Sequence, residues 1–302
     1  MSQRFETSLE GNLNEIQIPP LKSFKHNLAR SASALKSYLI IPARFASTRL
    51  PRKLLLRQTG KSLIQHTYES AQRARRPIGI CVATDHEDIF REVQSFGGNV
   101  VMTNPAAPNG TDRVAEVARQ LNNADIIVNL QGDEPDLSGD SIDLVIKLLE
   151  DDSAAVMATL AAPIRSRRQW EDPACVKVVF DHCGRALYFS RSPIPYPRQC
   201  DDGLFSLDPP VFYQHVGIYA YRRDFLLKLT ALPPSPLENL EKLEQLRALD
   251  AGHQILVGRI DCSVSQINTY GDYQQFVKGK TSGKNFYDQY TPILSPDLGM
   301  VR

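Results

Sequence analysis

Short apolar runs alternate with longer amphipathic segments along most of the chain. Apolar runs of about four to eight residues are typical of strands buried on both faces of a parallel sheet, whereas apolar residues three and four apart are typical of helices. In the first half, the pattern predicts strands at 38–41, 78–83, 99–102, 125–130 and 155–162, and helices at 62–75, from 84, at 109–121 and at 141–150. This alternation predicts an α/β fold with a mostly parallel central sheet flanked by helices.

After about residue 163 the pattern becomes rich in strands. It predicts strands at 176–180, 186–190, 212–221 and 254–260, and helices at 236–250 and 270–277. Leucine recurs at every third position of the segment 236–250, so the leucines wrap most of the way round one predicted helix and require burial on several sides. The prolines Pro193, Pro195 and Pro197 exclude regular structure from their segment, which is a candidate lid or subunit contact. We therefore expect a smaller strand-rich subdomain.

The two ends of the chain lack these patterns. Residues 1–36 mix proline, serine and scattered charges, with no clear period and no apolar core of a secretion signal. We interpret them as a mobile tail, and an over-long gene model explains them equally well. Residues 281–302 are expected to form a second tail, which leaves one domain at 37–280.

Composition excludes several classes of protein. The 302 residues carry a formal net charge of +1, which provides no long-range field to attract nucleic acid or an anionic membrane. The five cysteines are scattered and form no C-x-x-C pair, which favours reduced thiols in the cytoplasm over disulfides or a cysteine-based zinc site. No apolar run approaches the roughly 20 residues of a membrane-spanning helix. We expect a cytoplasmic protein with neither nucleic acid nor membrane as a partner.

The segment after the first predicted strand is cationic and unusually long. Arg44, Arg49 and Lys53 lie close together in sequence, and Pro51 excludes a regular helix. The next helical pattern begins only near Lys61, so the connection exceeds the usual length of such loops. Two guanidinium groups and one ammonium group suit the oxygens of a polyphosphate. The loop is a candidate polyphosphate site, and a solvated basic loop is the alternative.

Two carboxylates follow the fourth predicted strand, in the sequence Gln131-Gly132-Asp133-Glu134-Pro135. Glycine permits close approach of a ligand here, and proline prevents a helix. Ligands of open α/β sheets lie beyond the carboxyl ends of strands, and one or two carboxylates hold a hard cation that bridges phosphates. We therefore predict a divalent-metal site, with a plain turn as the alternative.

Two helix starts also carry polar groups. Gly110, Thr111 and Arg113 open the helix after the third strand, where free N–H groups and a guanidinium are placed to face a ligand. The run 84–88 holds His86 among three carboxylates. We interpret that run as a capped helix start rather than a metal site.

Three glutamates recur at a spacing of three in the predicted helix 236–250, namely Glu238, Glu241 and Glu244. Lys242 and Arg247 are close enough in sequence to pair with them. A surface ion-pair ladder and a substrate contact are equally favoured by this pattern.

Seven sequence blocks, in this order, resemble the 3-deoxy-manno-octulosonate (Kdo) cytidylyltransferases, or CMP-Kdo synthetases. The blocks are IIPARFASTRLPRK at 40–53, ATDHEDI at 83–89, GTDRVAEV at 110–117, VNLQGDEP at 128–135, VKVVFD with ALYFSR through 191, HVGIYAYR at 215–222 and SPLENLEKLEQLR at 235–247. The resemblance covers about residues 37–280 and implies a fold like that of nucleotide-diphospho-sugar transferases.

The resemblance also implies a reaction, in which the anomeric hydroxyl of Kdo attacks the α-phosphorus of CTP with the help of Mg²⁺. CMP-Kdo and pyrophosphate are the products, and CMP-Kdo serves lipopolysaccharide synthesis. By resemblance, the catalytic residues are Arg44, Arg49, Lys53 and Asp133, and the metal ligands are Asp133 and Asn268. The resemblance assigns nucleotide binding to Ala43, Arg44, Arg49, Lys53, Gly110, Thr111 and Arg113. It assigns sugar binding to Gln131, Arg191, His215, Tyr219, Glu241 and Gln245. It further implies a nucleotide-binding part at about 37–163, a sugar-acid and dimer part at about 164–280, and a homodimer.

One position departs from the family pattern. The family typically shows Gly-x-Asp-Thr near the C-terminus, where this chain reads Gln266-Ile267-Asn268-Thr269. Asparagine keeps an oxygen ligand but loses the charge, so the affinity for Mg²⁺ is expected to fall unless Asp261 or Asp272 compensates. A synthetase for another sugar acid, such as 8-amino-Kdo or a sialic-acid-like compound, and a CTP-binding protein with weakened catalysis remain alternatives.

Overall fold

A nine-stranded sheet runs through the part of the chain that the computed structural model describes, which is residues 35–45, 49–199, 201–261 and 266–281. The strands are β1 (Ser37–Ala43), β2 (Pro77–Thr84), β3 (Val100–Met102), β4 (Ile126–Asn129), β5 (Met157–Pro163), β6 (Lys177–Phe180), β7 (Ala186–Ser190), β8 (Tyr213–Arg222) and β9 (Ile255–Arg259). Their order is β3-β2-β1-β4-β8-β5-β9, and β6 pairs with β7 and β8 beside this path. Residues 1–34 and 282–302, which hold nearly all of both predicted tails, lie outside the described residues.

The sheet is parallel on one side and mixed on the other. Strand β1 pairs in parallel with β2 and β4, and β2 pairs in parallel with β3. Strand β8 then enters antiparallel between β4 and β5, while β5 and β9 are parallel. The prediction of an α/β fold with a mostly parallel sheet and a strand-rich second half is confirmed.

Helices cover both faces of the sheet. They are α1 (Leu63–Ala71), α2 (Glu87–Ser95), α3 (Gly110–Ala118), α4 (Gly139–Asp151), α5 (Arg167–Glu171), α6 (Arg223–Leu229), α7 (Pro236–Glu241), α8 (Gln245–Asp250) and α9 (Tyr270–Thr281). Leu39 and Ile41 of β1 pack into a core with α1, α2, α4 and α9, whereas Tyr38 and Ile40 pack into the opposite core with α3, α6 and α8. Successive side chains of a strand point to opposite faces, so β1 contributes to both cores.

The predicted single helix over 236–250 is wrong, because the chain breaks into α7 and α8. Lys242 lies between them with a φ of 55° and a ψ of 47°, the left-handed region that interrupts a right-handed helix. The break leaves Leu240 80% exposed while Leu243 and Leu246 are buried. The leucine period is therefore shared between two short helices, and burial on all sides does not follow.

The interpretation of the run 84–88 as a helix start is confirmed. The His86 ring accepts a hydrogen bond from the amide of Asp88 and so caps α2. No group of three or more histidine, cysteine or acidic side chains is placed to hold a metal among the described residues. In the same part of the chain, the helices are too short or too polar to cross a membrane.

Candidate active site

A cavity of about 390 Å³ lies where the carboxyl ends of β1 and β4 meet the start of α3. It is lined by Pro42, Arg44, Arg49, Lys53, Leu54, Asn109, Gly110, Gln131, Gly132, Asp133 and Glu244. The position agrees with the general rule that ligands of open α/β sheets bind beyond the carboxyl ends of strands. The cavity brings the predicted cationic loop and the predicted acidic turn together.

The cationic loop is anchored by apolar residues and presents its charges to the cavity. Leu50 and Leu54 are buried in the core below the loop. Arg44 and Arg49 are exposed, and Arg44 Nη2 donates to the carbonyl of Ala107 at 3.3 Å. This arrangement leaves most guanidinium donors open to a ligand with many oxygens.

Lys53 and Asp133 both line the cavity and form an ion pair with each other. Their side chains are only 12% and 13% exposed, so each compensates a charge that water solvates poorly. Gly132 brings the acidic turn close, because an added Cβ would lie 3.3 Å from both Leu54 Cδ2 and the carbonyl oxygen of Pro42. The carbonyl of Gly132 also accepts a hydrogen bond of 2.8 Å from the Thr67 hydroxyl of α1.

The segment before α9 closes the acidic side of the cavity. The amide of Ile267 donates to the carbonyl of Asp133 at 3.1 Å, and Gln266 Nε2 lies 3.5 Å from Asp133 Oδ1. Arg49 Nη2 donates to Asn268 Oδ1 at 2.9 Å. Asn268 is thus placed beside the cations and Asp133, although it lies far from both in sequence.

A divalent cation fits the donor set at this point. Asp133 offers a carboxylate, and Gln266 and Asn268 offer amide oxygens, which are hard ligands. Mg²⁺ commonly binds one or two protein carboxylates and completes its shell with phosphates and water. Asp272 does not replace the negative charge that an aspartate at position 268 would bring to the cavity. Its Oδ2 accepts hydrogen bonds from the backbone amides of Asn268 and Thr269 at the start of α9.

The start of α3 forms another wall. The Asn109 side chain caps the helix by accepting from the amide of Asp112 at 2.8 Å, and Gly110 lines the cavity. The Thr111 hydroxyl donates to Glu244 Oε2 at 2.6 Å. The helix start predicted from sequence is therefore part of the site.

Arg113 is placed away from the cavity. Its side chain is fully buried, where it bonds to Asp85 Oδ2 at 2.6 Å and to the Thr103 hydroxyl. Burial lowers the pKa of its guanidinium. These contacts hold α3 against the ends of β2 and β3, so Arg113 stabilises the wall rather than lining it.

Glu244 is a cavity residue to which the family resemblance assigns no role. The glutamate spacing marked three candidates, and the structure gives each a different environment. Glu238 forms an ion pair with Arg247, whereas Glu241 accepts from the Ser190 hydroxyl at 2.6 Å and from the amide of Arg191 at 2.9 Å. Only Glu244 of the three lines the cavity, and burial raises the pKa of its carboxyl.

The predicted sugar-binding residues divide into two groups. Gln131 lines the cavity, but the other five, Arg191, His215, Tyr219, Glu241 and Gln245, are not among its lining residues. His215 packs on Tyr219 with ring centroids 5.2 Å apart, and a ring nitrogen lies 3.0 Å from the Thr159 hydroxyl. Burial lowers the pKa of His215 to about 3, so the ring is neutral at physiological pH.

Arg191 is held by carbonyl groups. Its Nε donates to the Glu241 carbonyl at 2.7 Å, and its Nη1 donates to the Pro173 carbonyl at 3.0 Å. The fully buried Lys177 donates from Nζ to the Arg191 carbonyl at 2.6 Å. These bonds fix the end of β7 against α7. They also occupy two of the three guanidinium nitrogens of Arg191 with which a substrate carboxylate could pair.

Two buried polar groups near these residues have no hydrogen-bond partner in the described part of the chain. They are Gln245 Nε2 and Glu134 Oε2. Burial and the neighbouring Asp133 raise the pKa of Glu134 to about 8. Gly217 leaves room for that carboxyl, since an added Cβ would lie 2.6 Å from Glu134 Oε1. Buried polar groups are normally paired, so these two mark places where a ligand or water completes the structure.

Comparison with known proteins gives concordant results. A family model described as cytidylyltransferase matches residues 38–255. A 3-deoxy-manno-octulosonate cytidylyltransferase of Rhodopirellula baltica is 45% identical over 243 residues, which cover 80% of this chain and 97% of the relative. An enzyme of the same name from Geobacter sulfurreducens is 49% identical over 222 residues, which cover 72% of this chain and 88% of the relative.

A solved structure is similar over the same region. It is CMP:2-keto-3-deoxy-manno-octonic acid synthetase complexed with CTP, with a TM-score of 0.76 and 40% sequence identity. The match covers 82% of this chain and 99% of that one.

Proposed function

Since the chain belongs to the family of 3-deoxy-manno-octulosonate cytidylyltransferases, we propose that it transfers CMP from CTP to the anomeric hydroxyl of Kdo. The hydroxyl oxygen forms a bond to the α-phosphorus, the bond to the β-phosphate oxygen breaks, and pyrophosphate leaves. The observation that carries the proposal is the meeting of Arg44, Arg49 and Lys53 with Asp133 in one cavity. The product, CMP-Kdo, is the activated form of the sugar for lipopolysaccharide synthesis.

The cations act mainly by positioning and neutralising the triphosphate. Phosphoryl transfer needs little covalent help from a protein, so electrostatic stabilisation supplies most of the rate. Arg44 and Arg49 each offer a fork of donors to phosphate oxygens, and the Lys53 ammonium adds a point charge. Because Lys53 is already paired with Asp133, it is held in place before the nucleotide arrives.

The metal in this proposal is Mg²⁺, held by Asp133 with Asn268 beside it. When bound, the cation neutralises phosphate charge and draws electron density from the α-phosphorus. A chain of hydrogen bonds from Arg49 through Asn268 and Gln266 to Asp133 supports this assignment, because it holds the Asn268 side chain close to the Asp133 carboxylate.

The sugar acid is proposed to bind Gln131 together with Arg191, His215, Tyr219, Glu241 and Gln245. The unpaired amide nitrogen of buried Gln245 supports this part of the proposal, because it lacks an acceptor that a sugar hydroxyl would provide. The neutral His215 ring is suited to hydrogen bonding with hydroxyl groups rather than to pairing with an anion.

We propose a homodimer as the working form, in the cytoplasm. Leu240 of α7 and Tyr196 of the proline-rich segment are 80% and 78% exposed, an unusual state for large apolar side chains. The contact of two chains through these segments would remove that surface from water. Cys81, Cys175 and Cys183 are free thiols, which is consistent with a reducing compartment.

The decisive experiment measures pyrophosphate release by the purified protein with CTP, Mg²⁺ and a panel of sugar acids. We expect turnover with Kdo, a loss of at least about 100-fold for Lys53→Met, and full activity for the exposed control Asp250→Asn. Faster turnover with 8-amino-Kdo or a sialic-acid-like compound than with Kdo would identify that compound as the acceptor instead. Tight CTP binding without release for any acceptor would contradict an enzymatic role.

A further inference from the structure

We propose that Phe45 and His86 are positioning residues for the reaction, because their stacked rings hold the cationic loop in the form that binds the triphosphate. Neither residue is among those that line the cavity, so both act through their neighbours, above all Arg44 and Lys53. The inference rests on the proposed function, since it takes the triphosphate of CTP as the ligand of the loop.

The rings of Phe45 and His86 lie flat against each other. Their centroids are 3.6 Å apart, and the two ring planes differ by only 6°. Carbon atoms in contact lie about 3.5–4.0 Å apart, so the rings overlap across most of their faces. The Phe45 ring also packs against the apolar core that contains Leu39 and Ile41. These contacts fix the orientation of a side chain that belongs to the loop.

Arg52 adds a third group to the stack. Its guanidinium carbon lies 5.3 Å from the centroid of the Phe45 ring, within the range of a cation–π contact. The backbone of Arg52 has a φ of 53° and a ψ of 28°, the left-handed region that residues with a Cβ rarely adopt. The chain therefore turns sharply at this residue, and the contact joins the far end of the loop to its beginning.

The stacked loop residues are the sequence neighbours of two cations. Phe45 follows Arg44, and Arg52 precedes Lys53. Arg44 has a long hydrogen bond of 3.3 Å to the Ala107 carbonyl, which alone would hold its guanidinium loosely. Joining the two ends of the loop restricts the chain between them, so less conformational entropy is lost when a polyphosphate binds. The stack therefore prepares the cations for the ligand.

His86 provides a fixed support for the loop. Its ring accepts a hydrogen bond of 3.1 Å from the amide of Asp88, which holds the imidazole at the start of α2. Its own amide donates to Thr84 Oγ1 at 3.3 Å, at the end of β2. Asparagine, serine or aspartate would cap the helix equally well. The cap thus needs no ring, whereas the contact with Phe45 does.

Calorimetric titration with CTP, inorganic tripolyphosphate and CMP, in Mg²⁺ and without a sugar acid, tests the inference. Phe45→Leu keeps an apolar side chain but removes the stack. We expect it to weaken the binding of CTP and of tripolyphosphate about three- to tenfold, the effect of losing one ring contact. CMP binding should weaken by a smaller factor, because a single phosphate contacts fewer of the loop cations. Phe45→Tyr keeps the ring and should bind all three ligands as the wild type does.

A second variant and a control separate the stack from general effects. His86→Asn removes the ring but keeps an acceptor for the amide of Asp88. It should weaken CTP binding as much as Phe45→Leu, and the double variant should bind no more weakly than either single variant, because the two rings form one contact. The matched control Phe180→Leu removes a half-buried ring of β6 that lies 4.9 Å from the Tyr213 ring, and it should leave CTP binding unchanged.

Unchanged CTP affinity in Phe45→Leu or in His86→Asn would overturn the inference. So would additive losses in the double variant, or an equal loss in Phe180→Leu. Urea denaturation verifies the fold of each variant, and if Phe45→Leu does not fold, His86→Asn decides alone. Failure of the proposed function gives a different result, namely a wild-type protein that binds CTP but releases no pyrophosphate with Kdo. The binding measurements need no turnover, so they test the stack in either case.

Discussion

Asn268 is the residue at which the resemblance predicts a departure from the family pattern, and the structure shows which contacts its amide makes. Its Oδ1 accepts from Arg49, and its Nδ2 donates to Gln266 Oε1 at 2.9 Å. An aspartate could not make the second bond, since a carboxylate has no donor. The amide therefore links Arg49 to the acidic side of the cavity without adding a charge.

We predict that Asn268→Asp lowers the Mg²⁺ concentration needed for half-maximal rate, because a second carboxylate strengthens the binding of a hard cation. Mg²⁺ titration of pyrophosphate release, and calorimetry of Mg²⁺ binding in the presence of CTP, measure this change. Gln94→Glu, which adds the same charge at an exposed position of α2, is the control. An unchanged or raised requirement would argue against metal binding near Asn268.

His215 couples stability to pH. Its pKa of about 3 in the folded protein is below the unfolded value near 6.5, so the unfolded chain binds more protons between these values. Stability therefore falls as the pH is lowered through 6.5, by up to about 1.4 kcal/mol per pH unit from this residue alone.

We predict that His215→Gln flattens the pH dependence of the free energy of unfolding between pH 6.5 and about pH 5. Urea denaturation at several pH values measures the slope, and His182→Gln in the exposed hairpin turn controls for loss of a histidine. Glutamine keeps a donor for the Thr159 hydroxyl, whose own proton is directed to the Ile218 carbonyl at 2.7 Å. Equal slopes for wild type and His215→Gln would refute the assignment.

At the scale of elements, the break between α7 and α8 is the feature that shapes the site. A capping box of Ser235 and Glu238 starts α7, and Arg247 of α8 bonds back to the Glu238 carboxylate across the break. Glu238 therefore serves both helices at once. The pair is only 11% and 9% exposed, so it fixes the angle between the two helices more firmly than a surface ion pair would.

We predict that Lys242→Gly raises the free energy of unfolding by about 0.5–1 kcal/mol, because glycine adopts the left-handed conformation without the Cβ penalty. Lys242→Val should lower it by about 1–2 kcal/mol. Lys147→Gly in the regular helix α4 should lower it by about 1 kcal/mol, which separates conformational strain from loss of a lysine. Chemical denaturation measures all three, and a loss of stability in Lys242→Gly would contradict the role given to the turn.

For the whole molecule, the proposed dimer rests on apolar surface that the single chain leaves open. Leu237 and Leu240 are three residues apart on α7 and share a face, and both are exposed. We predict that Leu240→Glu converts the dimer into a monomer, because it would place a charge in a dry interface. Light scattering after size-exclusion chromatography gives the mass.

The control for this prediction is Tyr270→Glu, which changes an exposed aromatic residue of α9. It should leave the mass unchanged. A monomeric wild-type protein, or a Leu240→Glu variant of dimeric mass, would exclude α7 as the contact.

The sequence by itself determined the alternation of strands and helices and the chemistry at two loops. Apolar runs identify buried strands such as β1 because burial on both faces requires apolar residues at every position. Arg44, Arg49, Lys53 and Asp133 were identified because they are concentrated just beyond the carboxyl ends of two predicted strands, where ligands of open α/β sheets bind. The apolar runs and the charged loops each lie within a short stretch of sequence, so both can be recognised without knowledge of the fold.

Only the tertiary structure decided which distant groups meet. Arg49 and Asn268 are 219 residues apart, and Thr111 and Glu244 are 133 apart, so no periodic pattern joins them. Their contacts depend on the sheet order, in which β8 is inserted between β4 and β5 and carries the second half of the chain back to the first. That packing places Glu244 rather than Glu241 at the cavity, and it buries Arg113 away from the cavity. Residue spacing records the period of a helix or strand, but it does not record the neighbour against which each face packs.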